Sequence, residues 1–217
     1  QVISGRLVQI ANSALYSPAT PIRTLSQAIA YVGLDNAKRA FLACGIQRLY
    51  AHPRLYAIWQ HSIEAAHTAE RIAALAGKGE PGEAFLLGLL HDVGALAIGL
   101  LREEVYLGIQ QLRSNGCDMA VAEKLVCGFD HAKAGAQILK HWKFADDLAH
   151  AVQYHHCPEE TKSPLASILY LTEFWTNSEE DLPSTARLAA ALENTGLTLA
   201  QLEAENPRPE GIIAALK

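Results

Sequence analysis

His91 and Asp92 stand side by side inside a dense apolar run, EAFLLGLLHDVGALAIGL, from Glu83 to Leu100. A neutral imidazole and a carboxylate each donate a lone pair to a divalent cation, so the pair has the chemistry of a metal site. It also has a structural reading, in which Asp92 accepts backbone N–H bonds and His91 is a satisfied core histidine. Taken alone, the dipeptide favours that structural reading. The other donors in the chain shift the balance. His61 lies in WQHSIEAAH, His131 follows Asp130 in FDHAKAGAQIL, His155 and His156 are adjacent in VQYHHCPE, and Glu173 sits in LASILYLTEFW. A structural histidine usually comes alone, whereas here five separate helical segments each offer a ligand type. If they converge, five imidazoles and two carboxylates suit one or two divalent cations, with Asp92 able to bridge. Spacing by itself does not establish convergence.

The elements that must position these residues read as helix after helix. Val2, Leu7, Ile10, Ala11, Ala14 and Leu15 recur at helical spacing up to the Ser17-Pro18 turn. Thr24 and Gln27 have capping-box spacing for a short helix closed by Gly33, and Asp35 is placed to cap the next. Pro53 precedes a long helix, about Leu55 to Ala76, that ends at Gly77. The apolar run reads as a buried core helix. Beyond it come Glu103 to Arg113, stopping at Asn115-Gly116, and two helices capped by Asp118 and Asp130. Ala145 to His155 and Leu165 to Trp175 follow, the latter opened by Ser163-Pro164, and the tail carries a second capping box from Thr198 to Gln201. No alternating strand pattern, repeat or low-complexity tract is present, so the fold class is all-α. Helical sequence is already under way at Val2, and residues are expected upstream of Gln1.

Composition narrows the function classes. Of 217 residues, half are hydrophobic and 19% charged, which describes a globular chain able to bury a sizeable core. Dispersed basic residues and a net charge of −5 leave no footprint for a nucleic-acid backbone. The apolar run is interrupted by His91, Asp92 and Arg102, so no membrane span is expected. Cys44, Cys117, Cys127 and Cys157 form no CxxC pair and read as reduced thiols of a cytoplasmic protein.

The order H…HD…H…HH…acid resembles the HD superfamily of metal-dependent phosphohydrolases, including the HD-GYP cyclic-di-GMP phosphodiesterases. The resemblance to the HDOD family is closer and covers almost the whole chain. LVQIANSALYS is similar to its R-L-A-N-S-A stretch, LSQAIAYVGLDNAKRAFLA to its AI-x-x-L-G helix pair, and GLLHDVGAL to its GLLHDIGKL. FDHAKAGAQILKHWKFADDLAHAVQYHH is similar to its segment running from DHAEVGA to HH. The resemblance implies a helical HD-domain-like bundle with an N-terminal helical lobe. The expected organisation is an N-terminal lobe over 1–52, an HD-like lobe over 53–180, and C-terminal helices over 181–217 packed on the same unit. It also implies a bacterial signal-transduction or regulatory module that acts mainly through contacts with signalling proteins. By similarity to active HD-GYP enzymes, His61, His91, Asp92 and Glu173 would hold one metal. Asp92 would bridge to a second held by His131, His155 and His156. One or two divalent ions (iron, manganese, zinc, nickel or magnesium) are the implied cofactor.

Departures from the active pattern weigh against catalysis. Ala95 stands where HDIGK enzymes carry a lysine expected to reach the substrate phosphate. Loss of one such donor corresponds to about 3 kcal/mol, roughly a hundredfold or more in rate. His156 is followed by CPEETKSPLAS, with no GYP loop to shape a nucleotide pocket. Glu173 replaces the usual aspartate with a carboxylate about one methylene further out. The alternative function is a divalent-metal-dependent phosphohydrolase acting on a nucleotide or other phosphoester. In it Asp92 bridges the ions and His131 helps orient substrate. A third is a nucleotide sensor without turnover.

Other residues carry weaker signals. Glu64 and His67 form a lone E-x-x-H pair, for which a solvated or hydrogen-bonding role is expected. His141 and His150 read as surface residues, and Trp59, Trp142 and Trp175 as core or contact residues. Asn12 and Ser13, polar in an apolar helix, are expected to bond nearby backbone.

Overall fold

A computed structural model describes residues 2–47, 55–176 and 184–205, and among these every regular element is helical. The described residues fall into two compact units, 2–64 and 65–205, with the division falling inside a single helix. The lobe boundaries expected at 52/53 and 180/181 lie outside the described residues.

The first unit contains α1 (Val2–Ala11), α2 (Leu25–Val32), α3 (Leu34–Gln47) and the start of α4 (Tyr56–Ala76). Its core is Leu7, Ala11, Ile22, Ala28, Val32 and Ala37. The Thr24–Gln27 capping box forms as read, satisfying donors at both ends of the first turn of α2. Asp35 lies within the first turn of α3 rather than ahead of it, where its charge still favours the helix N-terminus. Asn12 does more than bond the nearby turn. Its amide donates to the Val8 and Ile22 carbonyls at 2.9 and 2.7 Å, and its Oδ1 accepts from the Ile22 amide at 2.8 Å. One side chain thereby pins the loop between α1 and α2 across ten residues.

The second unit carries the rest of α4, then α5 (Pro81–Leu90), α6 (Val93–Gly99), α7 (Glu103–Ser114), α8 (Met119–Cys127), α9 (His131–His141) and α10 (Asp146–Gln153). A 3-10 turn (Pro158–Glu160), α11 (Pro164–Thr176), α12 (Thr185–Thr195) and α13 (Leu199–Glu205) complete it. The apolar run is not one helix but two, α5 and α6, broken at His91-Asp92. By length and composition Pro81–Gly99 would reach across a bilayer, more than its sequence suggested, but the run is largely buried and serves as core. Phe85, Leu87, Leu89 and Leu90 are each under 4% exposed, and burial of such side chains contributes about 1.5–3 kcal/mol apiece. Asp118 and Asp130 cap α8 and α9, accepting from Val121 N at 3.1 Å and Lys133 N at 2.8 Å.

Two glycines set the distances on which the site depends. A Cβ on Gly88 would fall 2.6 Å from the Ala65 carbonyl oxygen, so α5 crosses α4 backbone to backbone. A Cβ on Gly94 would fall 2.0 Å from the His131 carbonyl oxygen and 2.6 Å from the Gly135 amide. Only glycine admits that crossing of α6 and α9, which brings the start of α9 against the His91-Asp92 corner.

Candidate metal centre

The corner between α5 and α6 shows which groups Asp92 faces. It occupies the N-cap position of α6, yet its side chain makes no capping hydrogen bond. Its carboxylate instead faces two imidazoles, with Oδ2 3.4 Å from His91 Nε2 and Oδ1 3.5 Å from His131 Nε2. The side chain of Asp92 therefore does not serve as the cap of α6.

His91, 1% exposed, donates from Nδ1 to the Gly88 carbonyl one helical turn back, at 2.8 Å. A carbonyl can only accept, so Nδ1 carries the hydrogen and Nε2 is turned toward acids. Glu173 Oε1 lies 2.9 Å from that Nε2. α11 thus delivers Glu173 to the corner, and a positive charge, proton or metal cation, is needed between those two atoms.

His131, His155 and His156 each direct a nitrogen to within 4.8 Å of the others. His155 is wholly buried and donates from Nδ1 to the Val152 carbonyl at 2.6 Å. Its Nε2 is buried and finds no hydrogen-bond partner among the described residues. Burial, reinforced by His91 and His131, pushes its pKa down to about 4, so it is a neutral imidazole presenting a bare lone pair. His131 behaves in the opposite way. Burial alone would lower its pKa, but the hydrogen bond to Glu123 and the charge of Asp92 outweigh it and hold the imidazole up at about 9. His131 Nε2 lies 2.7 Å from His156 Nε2, a distance that requires one shared proton. Burial and the neighbouring His155 and His131 keep His156 well below the ordinary histidine value, so His131 donates and His156 accepts.

This donor set fits a divalent cation. An orphaned nitrogen lone pair in a polar, buried cluster is an expensive arrangement without an acceptor of electron density. The backbone carbonyls bonded to His91 and His155 hold the hydrogen on Nδ1 of both rings and leave Nε2 as the nitrogen that can ligate a metal. The structure thus brings His91, Asp92, Glu173, His131, His155 and His156 to one corner of the second unit. His61 lies on the part of α4 that belongs to the first unit, half-buried in the helix.

One functional residue went unread in the sequence. Glu123 on α8, 2% exposed, accepts from the His131 ring Nδ1 at 2.6 Å and from the His131 amide at 2.7 Å. The available signal was its register: Met119, Ala122, Glu123 and Cys127 share one helical face, and the other three are buried or packed on the α6–α8 core. A carboxylate on an apolar face needs a partner. His67 meets the Phe85 ring edge-on at 5.0 Å, and His150 is exposed beside Tyr154. Trp142, read as a core or contact residue, is instead 43% exposed.

A family profile described as the HDOD domain matches residues 1–158. No curated protein matches the chain. Among solved structures, an HDOD domain protein of unknown function from Geobacter sulfurreducens superposes with a TM-score of 0.79 at 24% identity, over 100% of this chain and 80% of its own. A protein from Shewanella amazonensis SB2B, provisionally described as a phosphohydrolase, gives a TM-score of 0.74 at 26% identity, over 94% and 77%. The response regulator MmoQ from Methylococcus capsulatus str. Bath gives 0.53 at 26% identity, over 92% and 81%. Glu173 lies beyond the stretch matched by the profile, and its place in the corner comes from the fold.

Proposed function

The chain belongs to the HDOD family, and from that premise we propose that it is a signal-transduction module that keeps a divalent-metal pocket and acts through protein contacts rather than turnover. The observation that carries this reading is Ala95. It stands three residues after Asp92 on α6, half-buried, at the position where active HD enzymes carry lysine. The pocket supplies acids and imidazoles for metal, but that position offers no cation for the charge that develops on a phosphoryl group. The similarity to a response regulator supports the signalling half of the proposal.

In this reading His91, Asp92 and Glu173 serve one ion, and His131, His155 and His156 serve a second, with Asp92 common to both. His61 joins the first set from the family order of ligands alone. The test is metal analysis of protein purified without a His tag, alongside a His91→Ala/Asp92→Ala variant. Stoichiometric metal in the parent and its loss in the variant are expected. Absence of metal from both would remove the pocket from the proposal.

A second reading, a phosphohydrolase acting on a nucleotide or other phosphoester, is favoured by one observation: the donors converge rather than scatter. A bound divalent ion would supply Lewis acidity and a more acidic water. Asp92 would then be shared between ions, and His131 would help orient substrate. The two readings separate on manganese-loaded protein assayed with cyclic-di-GMP and with a generic phosphodiester. No turnover is expected from the parent. Hydrolysis above background, rising roughly a hundredfold in an Ala95→Lys variant, would establish the enzyme instead.

A further inference from the structure

We infer that Glu123 is the positioning residue of the imidazole cluster, holding His131 so that its Nε2, and not its Nδ1, is presented to a metal ion. The inference rests on the metal reading above and assigns a role to a residue outside the family ligand series.

The geometry is specific. One carboxylate oxygen, Oε2, accepts from both the backbone amide and the ring Nδ1 of His131, at 2.7 and 2.6 Å. Those two donors belong to one residue, so together they fix where α9 begins and how its first ring is rotated. Gly128 closes α8 in the left-handed region at φ 82°, reversing the chain so that Glu123 can face a residue eight positions later. Lys124, next in sequence, pairs with Asp130 at 2.8 Å, and Asp130 in turn caps α9. Two adjacent residues of α8 therefore grip two adjacent residues at the start of α9. The outer pair is exposed at Lys124; the inner pair is buried and meets the cluster.

Burial makes the inner pair consequential. Glu123 and His131 are 2% and 4% exposed, so neither can exchange its partner for water without opening the joint. With Nδ1 committed to Glu123, the other nitrogen is directed at His156 Nε2, 2.7 Å away, and toward Asp92. His91 and His155 achieve the same orientation with backbone carbonyls of the helices that precede them, from Gly88 and Val152. His131 is the first residue of its helix and has no carbonyl one turn earlier in α9 to use. Glu123 supplies that missing acceptor from a neighbouring helix. Such carboxylate–histidine couples orient the ring and raise its basicity as a ligand, and their removal lowers metal affinity about 10–100-fold.

The test uses the full chain with cobalt(II) as the probe, because its visible spectrum reports the ligand geometry. Three proteins are compared: the parent, Glu123→Gln and Glu123→Ala, with circular dichroism to confirm the fold. The Gln variant keeps the size and one acceptor oxygen, and is expected to bind cobalt about tenfold more weakly with a shifted spectrum. The Ala variant is expected to lose about a hundredfold, at unchanged helicity. Nitrogen-15 NMR of the parent's imidazoles, which needs no variant, is expected to show a proton on His131 Nδ1 in both the metal-free and the cobalt-loaded protein. Cobalt affinity and spectrum unchanged in both variants would overturn the inference while leaving the metal site standing. A His131 Nδ1 without its proton would overturn it as well. A parent that takes up no cobalt would instead refute the metal reading, and this inference with it.

Discussion

The two sides of the His91-Asp92 corner solve the same problem with opposite chemistry. On one side, His91 faces the carboxylates of Asp92 and Glu173, and negative charge is in excess. On the other, three imidazoles crowd together, and the structure keeps them from repelling by charging only one. His131 is held up at about 9 while His155 is pushed down to about 4. The difference lies in which partners the backbone allows. The rings of His91 and His155, just past the C-terminal ends of α5 and α10, bond carbonyls of the turn before them, and His155 is left neutral with a lone pair to offer. The ring at the helix start reaches a carboxylate and gathers a proton. Buried imidazoles are thus assigned their roles by position along the helix as much as by neighbouring charge.

The largest expected effect breaks the joint between the two sides. Gly94→Ala places a methyl against the backbone of His131 and Gly135, where neither atom belongs to a flexible side chain. Separation of α6 from α9 should cost about 3 kcal/mol or more, read as a lower midpoint in urea unfolding, and should abolish metal uptake on both sides. A variant with parental stability would mean that the crossing is looser than the structure shows.

The next expectation sharpens the imidazole side. An unfolded histidine titrates near 6.5. His131, raised in the native state, contributes stability that is complete below pH 6.5 and is lost as pH climbs toward 9. His155, lowered in the native state, contributes stability that is present above 6.5 and is lost as pH falls toward 4. At ~1.4 kcal/mol per pH unit, each flank amounts to on the order of 3 kcal/mol. Metal-free protein should therefore be most stable near neutrality, and unfolding midpoints measured from pH 4 to 9 check it. Replacing His131 with Gln should flatten the alkaline flank and soften the acid one only in part, since burial remains the main cause that holds His155 down.

The smallest effect isolates the carboxylate side. Glu173→Asp withdraws the acid from His91 Nε2 by about one methylene, enough to change affinity for a single ion about tenfold, or ~1.4 kcal/mol. Calorimetric titration with a divalent metal should show one class of site altered and the other retained. Equal weakening of both would merge the two sides into one unit.

The parts of this arrangement that were legible in the sequence share a property: they are short-range. Capping at Thr24, Asp118, Asp130 and Thr198 depends on a side chain and an amide three residues apart, and all four form. The donor types and their order along the chain were equally plain. Asn12 shows where that reach ends: its polar character in an apolar helix was visible, but its partner Ile22 was not. Glu123 shows the same limit at the site, since its register marked it as buried while nothing local named His131.

The amino-acid sequence by itself determined an all-helical chain, the identity of the metal-type donors, and the alanine that stands in place of a lysine. Only the tertiary structure decided that the Asp92 side chain, at the N-cap of α6, faces two imidazoles instead of capping, that Glu123 orients His131, and that Glu173 reaches His91. The physical reason is that a helix and its caps are fixed by neighbours within one turn. Which side chains meet across helices is fixed by the depth of their crossings, here set by the missing side chains of Gly88 and Gly94.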